Sequence, residues 1–425
     1  MKGIFKVYHR VYRASSVYVE AFNTDGAIGD HVFIYPQRGK PVDGEIIGFN
    51  GDRCIIMPYG PLSGVKTGDR VSIRKEHVST LVGINLLGEV IDPFGRRLED
   101  GSLPKGQKVP IILEDVNPLQ RERLREVFDC GIRVINSLFT LGKGQKVGIF
   151  AGAGIGKSTL LGMVIRNSKV DAVVLGLIGE RGREVREFLE DVLGEEGRKK
   201  SITVVTTSDQ TPILKVKGAL STLVHARYLA EQGLDVLVVI DSITRLAMAQ
   251  REVGLSAGEP PTMKGYTPSV FYLLSKVVES CGNFKRGSIT GIFSVLVEGD
   301  DISLDPVADA LMAVLDGHII LSRRRANAGI YPAIDPVRSL SRLMPHVVCE
   351  EHMKMALYLR ELLSTYETME DMVNLGLYNR GSNPFVDRVI SNREDILNFL
   401  RQRVEERVDY QESLKELREL YTKLV

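Results

Sequence analysis

The sequence contains few cysteines, and these do not form a framework. The four cysteines, Cys54, Cys130, Cys281 and Cys349, lie far apart in the chain, and no C-x-x-C pair occurs. The seven histidines form no ligand cluster with them, so the sequence gives no basis for a structural zinc site. Scattered cysteines of this kind are typical of proteins in a reducing cytosol.

The sequence also lacks long apolar runs and an excess of charge of one sign. No run approaches the ~18 residues of a transmembrane helix, and His9, Arg10 and Arg13 interrupt the apolar core that a signal peptide would need. The 55 basic and 54 acidic residues give a formal net charge of +1, so no overall charge attracts nucleic acid or an anionic bilayer. We therefore expect a cytoplasmic protein that does not bind nucleic acid and reaches membranes only through partners.

The length and the residue patterns indicate three domains. A chain of 425 residues exceeds one ordinary hydrophobic core. Residues 1–82 carry short alternating stretches punctuated by Gly, Pro and Asp, which predict a small β-barrel. Residues 83–345 alternate nearly continuous apolar runs with helical stretches, a pattern typical of a parallel sheet covered on both faces. Residues 346–425 predict a helical domain.

One helix of the last domain is predicted from a capping pattern. Ser391 and Glu394 have the spacing of a capping box. The apolar residues that follow are spaced to share one helical face, namely Leu397, Leu400, Val404 and Val408. We expect one continuous helix through this stretch.

The stretch "FAGAGIGKSTLL", residues 150–161, has the pattern of a phosphate-binding loop between a strand and a helix. Its glycines allow backbone N–H groups to turn inward around phosphate oxygens. Lys157 can reach the β- and γ-phosphates, and the hydroxyl of Ser158 can bind Mg²⁺. The alternative, a glycine turn with an incidental Lys-Ser pair, explains the order of strand, loop and helix less well. The predicted nucleotide-binding residues of the loop are Gly152, Ala153, Gly154, Ile155, Gly156, Lys157, Ser158 and Thr159.

The first position of this loop departs from the usual pattern. The pattern begins with glycine, whereas this chain has Ala151. We expect Ala151 at the end of the strand, at the rim of the loop rather than inside it. A methyl group is tolerated there if the backbone φ is negative, so the loop is expected to work.

Two carboxylates end other predicted strands. Asp241 ends the run "LDVLVVID" and would hold the Mg²⁺ shell, although aspartate in this place is often a helix cap. Glu180 ends "VVLGLIGE" and would orient and polarise water, unless it caps the following helix. Parallel strands end at one edge of a sheet, so Lys157, Glu180 and Asp241 are expected to converge. The pair Asp300 and Asp301 is a second candidate, more typical of residues that fix a loop.

Longer motifs resemble those of the catalytic subunits of rotary ATP synthases, most closely those of the ATPases of flagellar and injectisome type III protein export. Residues from about 85 to 390 carry them in the family's order, including "GERGREV", "DSITRLAMAQREV", "HIILSRRRANAGIYPAID" and "SLSRLM". The family's loop accepts a small residue in its first position. The resemblance implies a multidomain α/β fold with an N-terminal β-barrel, a central RecA-like parallel-sheet P-loop ATPase domain and a C-terminal helical domain.

The resemblance also implies roles for single residues. Glu180 becomes the carboxylate that positions the attacking water, with Arg181 beside it. Asp241 becomes the aspartate of the Mg²⁺ shell. Tyr331 becomes a ring that packs on adenine, although a core tyrosine would explain the residue equally well from sequence alone.

A final implied residue belongs to the neighbouring subunit's site. Arg342, in "SLSR", becomes an arginine finger that stabilises charge on the transferring phosphoryl group of the adjacent subunit. The residues alone do not distinguish it from Arg245 or from the run 323–325. This choice depends on the resemblance.

The sequence therefore predicts a homohexameric ATP hydrolase of the flagellar type III protein export apparatus, with ATP and Mg²⁺ bound at subunit interfaces. Hydrolysis would promote the release or unfolding of export substrates from chaperones. The expected partners are export-gate and stalk proteins and substrate–chaperone complexes, at the cytoplasmic face of the inner membrane. Contact with a regulatory stator protein is expected to be shorter, because the chain starts almost directly on the barrel.

Three other functions stay open at this stage. The injectisome ATPase is the nearest, and the stretch "KGYTPSVF" slightly favours the flagellar system. A non-catalytic nucleotide-binding subunit of a rotary ATPase would lose the acid, so Glu180 argues against it. A hexameric RNA translocase needs a basic or aromatic nucleic-acid platform, and the barrel region shows only scattered Arg and Lys.

Overall fold

The computed structural model describes residues 8–23, 25–297 and 302–425. It confirms the predicted multidomain α/β fold, with a closed N-terminal barrel, a central sheet whose middle strands are parallel, and a set of C-terminal helices. The domain boundaries placed after residues 82 and 345 remain predictions. None of the helices in the described ranges combines the length and the hydropathy of a membrane-spanning helix.

Six antiparallel strands close the barrel. The strands are β1 (His9–Ala14), β2 (Val19–Phe22), β3 (His31–Tyr35), β4 (Val42–Asn50), β5 (Arg53–Pro58) and β6 (Arg70–Arg74). They are joined in the order β1-β2-β5-β4-β3-β6, and β6 pairs back onto β1. Successive residues of a strand point to opposite faces, so alternate apolar side chains such as Val11, Ile34 and Val71 fill the interior.

A two-stranded pair and the central sheet follow. β7 (Ser79–Val82) pairs with β9 (Gln107–Pro110), while β8 (Val90–Ile91) joins one edge of the central sheet. The remaining strands are β10 (Arg121–Glu122), β11 (Val127–Phe128), β12 (Leu141–Gly142), β13 (Lys146–Ala151), β14 (Ala172–Glu180), β15 (Ser201–Thr207), β16 (Asp235–Asp241), β17 (Gly282–Phe284), β18 (Ser288–Leu296), β19 (Gly317–Ile320) and β20 (Leu340–Ser341).

The central sheet follows the order β20-β19-β13-β18-β16-β14-β15-β8. Neighbours from β19 to β8 are parallel, and β20 is antiparallel to β19. Alternate residues of β14 enter two different cores, with Val173 and Leu175 in one and Val174 and Ile178 in the other. Both faces are therefore covered, and β13, β14 and β16 end at the edge where such sheets bind ligands.

Helices cover the two faces of this sheet and form the C-terminal part. Side chains of α2 enter one core and those of α5 and α6 the other. A π-helical turn, Phe188–Leu193, joins α3 to α4. The helices are α1 (Arg133–Leu138), α2 (Lys157–Asn167), α3 (Gly182–Glu187), α4 (Gly194–Lys199), α5 (Pro212–Glu231), α6 (Ile243–Ser256), α7 (Pro268–Glu279), α8 (Pro306–Val314), α9 (Arg323–Asn327), α10 (Met344–Val347), α11 (Glu350–Asn374), α12 (Pro384–Ser391), α13 (Arg393–Leu400) and α14 (Tyr410–Leu424).

The predicted capping box at Ser391 is wrong. Ser391 is the last residue of α12, and α13 begins two residues later without a capping side chain. Asn392, with φ −113° and ψ 22°, separates the two helices. Glu394 lies in the first turn of α13, where a negative charge is favoured by the helix dipole.

The predicted continuous helix also ends early. α13 stops at Leu400 because Arg401 is extended, with φ −87° and ψ 138°. Val404 and Val408 lie beyond the helix; Val404 is exposed and Val408 is buried. The side chain of the buried Gln402 makes hydrogen bonds to distant parts of the chain, and these compete with continuation of the helix.

A buried ion pair joins the barrel to the central domain. The Nζ atom of Lys217 in α5 lies 2.6 Å from Oε2 of Glu45 in β4, and both side chains are almost fully buried. The hydroxyl of Tyr59 donates to the same carboxylate oxygen at 2.7 Å. Burial raises the pKa of Tyr59 well above its usual range, so the phenol stays protonated and remains a donor. Lys217, Glu45 and Tyr59 therefore supply one another's charge and hydrogen-bond partners between the barrel and the central domain.

Candidate active site

The loop between β13 and α2 forms an open cradle. Gly154 and Gly156 have φ angles of 75° and 89°, conformations that favour glycine. Gly156 directly precedes α2, and the first N–H groups of a helix have no partner within it, which favours an anion. Around this cradle Ile155 is buried in the core, Ala153 and Ser158 are exposed, and Gly152 and Thr159 are half-buried.

The structure places Ala151 in the strand. It is the last residue of β13, fully buried, and is paired with Leu296 of β18. Among the described residues only Lys264 combines a side chain with a positive φ, so Ala151 has the negative φ that the sequence argument required. Its methyl group therefore lies in the core below the loop and does not enter the cradle.

Lys157 is held by two residues from neighbouring strands. Its Nζ atom donates to Oδ1 of Asp241 and, at 3.3 Å, to Oγ of Ser294. The hydroxyl of Ser294 donates to the same Asp241 oxygen. The side chains of Lys157 and Asp241 are only 12% and 4% exposed. The lysine is thus an ammonium group at the mouth of the loop, balanced by one buried carboxylate.

Glu180 lies at the same edge and is paired with Arg245. The two nitrogens Nε and Nη2 of Arg245 lie 3.1 and 3.4 Å from the two carboxylate oxygens. Burial, the charge of Asp241 and a hydrogen bond with Glu184 together raise the pKa of Glu180 to about 7. Arg245 and Lys157 act in the opposite direction. A carboxyl group that titrates near neutrality is suited to proton transfer.

Neither carboxylate is a helix cap. The N-cap of α6 is Ser242, whose hydroxyl accepts a hydrogen bond from the N–H of Arg245 at 3.3 Å. α3 begins after Arg181 and has no side-chain cap. The side chains of Asp241 and Glu180 instead line one cavity of about 180 Å³ together with Lys157 and Ser158.

Tyr331 lies beside the phosphate-binding loop. Its side chain is 49% exposed, which excludes the alternative of a core tyrosine. A Cβ atom placed on Gly156 would lie 3.8 Å from two atoms of its ring. On another side of the loop, Nη2 of Arg323 donates to the carbonyl of Ala153 at 3.2 Å. The loop is therefore flanked by one exposed aromatic ring and one cation.

The two other predicted arginines lie in different surroundings. Arg181 is mostly exposed, and its Nη1 atom lies 3.6 Å from Oε1 of Glu184. Arg342 is exposed; its Nη2 atom donates to the carbonyl of Met312 at 3.2 Å, and its backbone N–H donates to the carbonyl of Asp316 at 2.9 Å. Arg181 therefore lies beside Glu180 at the carboxyl ends of the parallel strands, whereas Arg342 directly follows β20, the outermost strand of the sheet.

Arg342 lies at the amino edge of the parallel strands. Asp316, which accepts its backbone hydrogen bond, precedes β19 and donates to the carbonyl of Lys146 at the start of β13. The phosphate-binding loop follows the other end of β13. The six residues of β13 span roughly 20 Å at about 3.3 Å per residue. Within one chain the Arg342 guanidinium is therefore separated from its own loop by the full strand.

The residues at the carboxyl edge fit Mg²⁺ bound together with a nucleotide. The hydroxyl of Ser158 and the carboxylate of Asp241 are the oxygen ligands that Mg²⁺ prefers. The described ranges hold no group of three or more His, Cys, Asp or Glu side chains that could form a metal site. A Mg²⁺ ion here would therefore depend on phosphate oxygens and water for its other ligands, which is usual for nucleotide-bound Mg²⁺.

Two contributors escaped the sequence analysis. Ser294 is one of two hydroxyl residues in the run "ITGIFSVLV", and only the pairing of β16 with β18 brings it to Asp241. Arg245 was considered only as a possible finger, whereas the structure pairs it with Glu180. Both depend on the register between elements distant in sequence. The second candidates, Asp300 and Asp301, lie outside the described residues.

Models of known families match most of the chain. The β-barrel domain of the ATP synthase alpha/beta family matches residues 17–73, and its nucleotide-binding domain matches residues 131–341. The C-terminal domain of the type III secretion ATPase EscN matches residues 348–419. The flagellum-specific ATP synthase of Aquifex aeolicus is 59% identical over 424 residues, which cover 100% of this chain and 95% of that protein. The chain belongs to the family of flagellum-specific ATP synthases.

Further comparisons agree with membership of this family. The flagellum-specific ATP synthase of Bacillus subtilis is 43% identical over 424 residues, which cover 99% of this chain and 96% of that protein. The structure of the assembled ATPase EscN from the enteropathogenic E. coli type III secretion system superposes with a TM-score of 0.91 at 37% identity, covering 97% of this chain and 100% of that one. The chain is therefore an ATP hydrolase. These flagellar relatives are 59% and 43% identical to it, whereas EscN is 37% identical, which supports the flagellar interpretation over the injectisome one.

Proposed function

We propose that the chain forms a homohexamer that binds Mg·ATP between subunits and uses its hydrolysis for flagellar type III protein export. The observation that carries this proposal is the division of the site across the sheet. Lys157, Glu180 and Asp241 lie at the carboxyl edge, whereas Arg342 lies at the amino edge. One chain therefore offers two incomplete halves of an active site, and a ring of identical subunits joins each half to its complement.

The groups at the carboxyl edge divide the chemistry among them. On binding of ATP, the ammonium group of Lys157 exchanges its contact with Asp241 for the β- and γ-phosphates, and the N–H groups of the loop hold the phosphate oxygens. Ser158 and Asp241 would hold Mg²⁺, which would offset phosphate charge. Thr159 and the loop residues 152–156 complete the cradle.

Glu180 acts on the attacking water. As a carboxylate it accepts a hydrogen bond from the water, orients it toward the γ-phosphate and takes up its proton. Arg245 and Arg181 are the nearby cations of this edge; Arg245 keeps the carboxylate in place at 3.1 Å. Tyr331 offers a ring on which adenine packs beside the loop. Arg342 of each subunit supplies positive charge to the transferring phosphoryl group of its neighbour.

The proposed partners follow from the export role. The structure of EscN with its central stalk EscO superposes on this chain with a TM-score of 0.88 at 37% identity, which supports a stalk protein as a partner of the ring. We extend this to export-gate proteins and to complexes of export substrates with chaperones, with the ring held peripherally at the cytoplasmic face of the inner membrane.

A secretion experiment tests the export role. A strain without the gene should synthesise hook and filament proteins but retain them inside the cell, and the wild-type gene should restore their secretion. The Lys157→Ala gene, expressed at the same level, is the matched control because it lacks only the phosphate-binding ammonium group. Normal secretion by the deletion strain under reduced proton-motive force would contradict the proposal.

A further inference from the structure

Gln402 makes hydrogen bonds to three separate parts of the chain. It follows α13 and is 5% exposed. Its Oε1 atom accepts the backbone N–H of Arg133 at 2.8 Å, and its Nε2 atom donates to the carbonyls of Gly131 and Glu406 at 2.8 and 2.9 Å. Gly131 and Arg133 stand at the start of α1, which belongs to the same core as the loop strand β13. The amide therefore ties the C-terminal segment to the central domain.

The backbone of the same residue holds Tyr331. The N–H of Gln402 donates to the carbonyl oxygen of Tyr331 at 2.9 Å. The ring of Tyr331 itself stays half exposed beside Gly156. The tyrosine thus has an anchored backbone and a ring that is free to meet a ligand.

Arg133 strengthens this attachment. Its Nη1 atom donates to the carbonyl of Arg401 at 2.6 Å, and its other nitrogens lie 2.5 Å from Glu406 and 2.6 Å from Glu416. These bonds hold the residues on both sides of Gln402 against the start of α1. A buried amide with all of its groups satisfied has one favoured position, so the backbone N–H that meets Tyr331 is fixed relative to the central domain.

We propose that Gln402 is a positioning residue for the nucleobase, and that it acts by holding Tyr331 at a set distance from the phosphate-binding loop. The proposal rests on the proposed function of Tyr331. Phosphates and base are bound by different elements, so their relative placement decides whether one nucleotide can use both at once. Gln402 fixes this placement without touching the ligand.

The test compares a ligand that has a base with one that has none. In Gln402→Met the side chain keeps its length but loses its hydrogen bonds to Gly131, Arg133 and Glu406. Affinity for Mg·ADP should fall about tenfold, a factor at the lower end of what the loss of one base–aromatic stacking contact costs. Affinity for magnesium tripolyphosphate should stay within about twofold, because the phosphates bind only the loop. In turnover, KM for ATP should rise while kcat is retained.

A double variant separates positioning from a general loss of structure. If Gln402 acts through the ring, Gln402→Met should have no further effect on ADP affinity in a Tyr331→Ala background, since coupled residues are non-additive. The control is His352→Leu, which removes another buried bond between α11 and α1, from Nε2 of His352 to the carbonyl of Ser137 at 2.7 Å. It should leave ADP affinity unchanged.

Four results would overturn the positioning role of Gln402. Equal losses of ADP and tripolyphosphate affinity, an additive double variant, or the same ADP loss in His352→Leu would overturn the positioning role. An unchanged ADP affinity in Gln402→Met would overturn it as well. If the unmodified protein bound neither ligand, the proposed nucleotide site would be wrong, and this result is distinct from the others. Far-ultraviolet circular dichroism and thermal unfolding of each variant establish that it is folded.

Discussion

Lys157 and Arg342 lie at opposite edges of one parallel sheet. Lys157 begins the helix that follows β13, whereas the backbone of Arg342 is bonded to Asp316, level with the first residue of β13. A side chain of arginine cannot span this separation. If both residues serve hydrolysis, they serve it in different copies of the chain, and a monomer should be nearly inactive.

Activity should therefore return when two inactive variants are mixed. Lys157→Ala subunits cannot hydrolyse ATP but still offer Arg342, and Arg342→Ala subunits bind ATP but offer no finger. In mixed rings some intact lysine sites lie beside an intact arginine. An arginine finger is worth about 10³–10⁵ in rate, so a small fraction of repaired interfaces gives measurable turnover.

Crosslinking of differently labelled variants provides the control for mixing. Specific activity of the wild type should also rise with protein concentration, since the site is complete only after assembly. If the variants share rings and no activity returns, Arg342 does not act between subunits.

Lys157→Ala alone should abolish turnover and weaken Mg·ATP binding. The substitution removes the ammonium group that meets the β- and γ-phosphates, and loss of one such electrostatic group costs about 10²–10³ in kcat. The free energy of unfolding should also fall, because the substitution leaves the buried carboxylate of Asp241 without its cation. Steady-state hydrolysis by the purified variant is the measurement, and a rate within about threefold of wild type contradicts the assignment.

Glu180→Gln should separate binding from chemistry. The amide keeps the shape of the side chain but is a poor base, so kcat should fall by about 10²–10⁴ while Kd for Mg·ATP stays within about twofold. Equilibrium titration with a fluorescent ATP analogue and single-turnover hydrolysis measure the two quantities. A loss of affinity like that of Lys157→Ala would instead mark Glu180 as a structural residue.

The pKa of Glu180 predicts the pH dependence. Burial, the charge of Asp241 and a hydrogen bond with Glu184 together raise this pKa to about 7, so the carboxyl group is protonated below that pH and ionised above it. Only the ionised form accepts a proton, and kcat/KM, which reports the pKa of the free enzyme, should therefore rise as pH rises through about 7. Arg245 lowers the pKa of Glu180; in Arg245→Gln the rising limb should move to higher pH. If the activity rises over the same pH range in the wild type and in Arg245→Gln, a group other than Glu180 controls the pH dependence.

The ion pair between barrel and central domain should matter for stability. Lys217→Met leaves the buried carboxylate of Glu45 without its cation, which costs about 3–5 kcal/mol of unfolding free energy when such a pair is broken. Adding Glu45→Gln removes the unpaired charge and should recover part of the loss. Urea unfolding of both variants gives the comparison. Equal stability of Lys217→Met and wild type would mean that water already compensates the pair.

The local patterns predicted the elements whose signals are contiguous in sequence. The strand, glycine loop and helix around Lys157 needed only short-range order, and the nearly continuous apolar runs of β14 and β16 could be recognised without a partner. The stretch after Ser391 failed for the opposite reason. Its apolar spacing is helical, yet Gln402 finds hydrogen-bond partners at Gly131 and Arg133, and these tertiary bonds outweigh a preference of a few tenths of a kcal/mol per residue.

The sequence by itself determined the kind of chemistry, because a phosphate-binding loop and strand-terminal carboxylates are local arrangements of residue types. Tertiary structure alone decided which side chains meet. Strand order and register bring Ser294 to Asp241 and Arg245 to Glu180, although each pair is separated by more than fifty positions in the chain. The same register carries Arg342 to the far edge of the sheet. Pairing between strands is non-local, so a one-dimensional pattern can name the participants but cannot say where they come together.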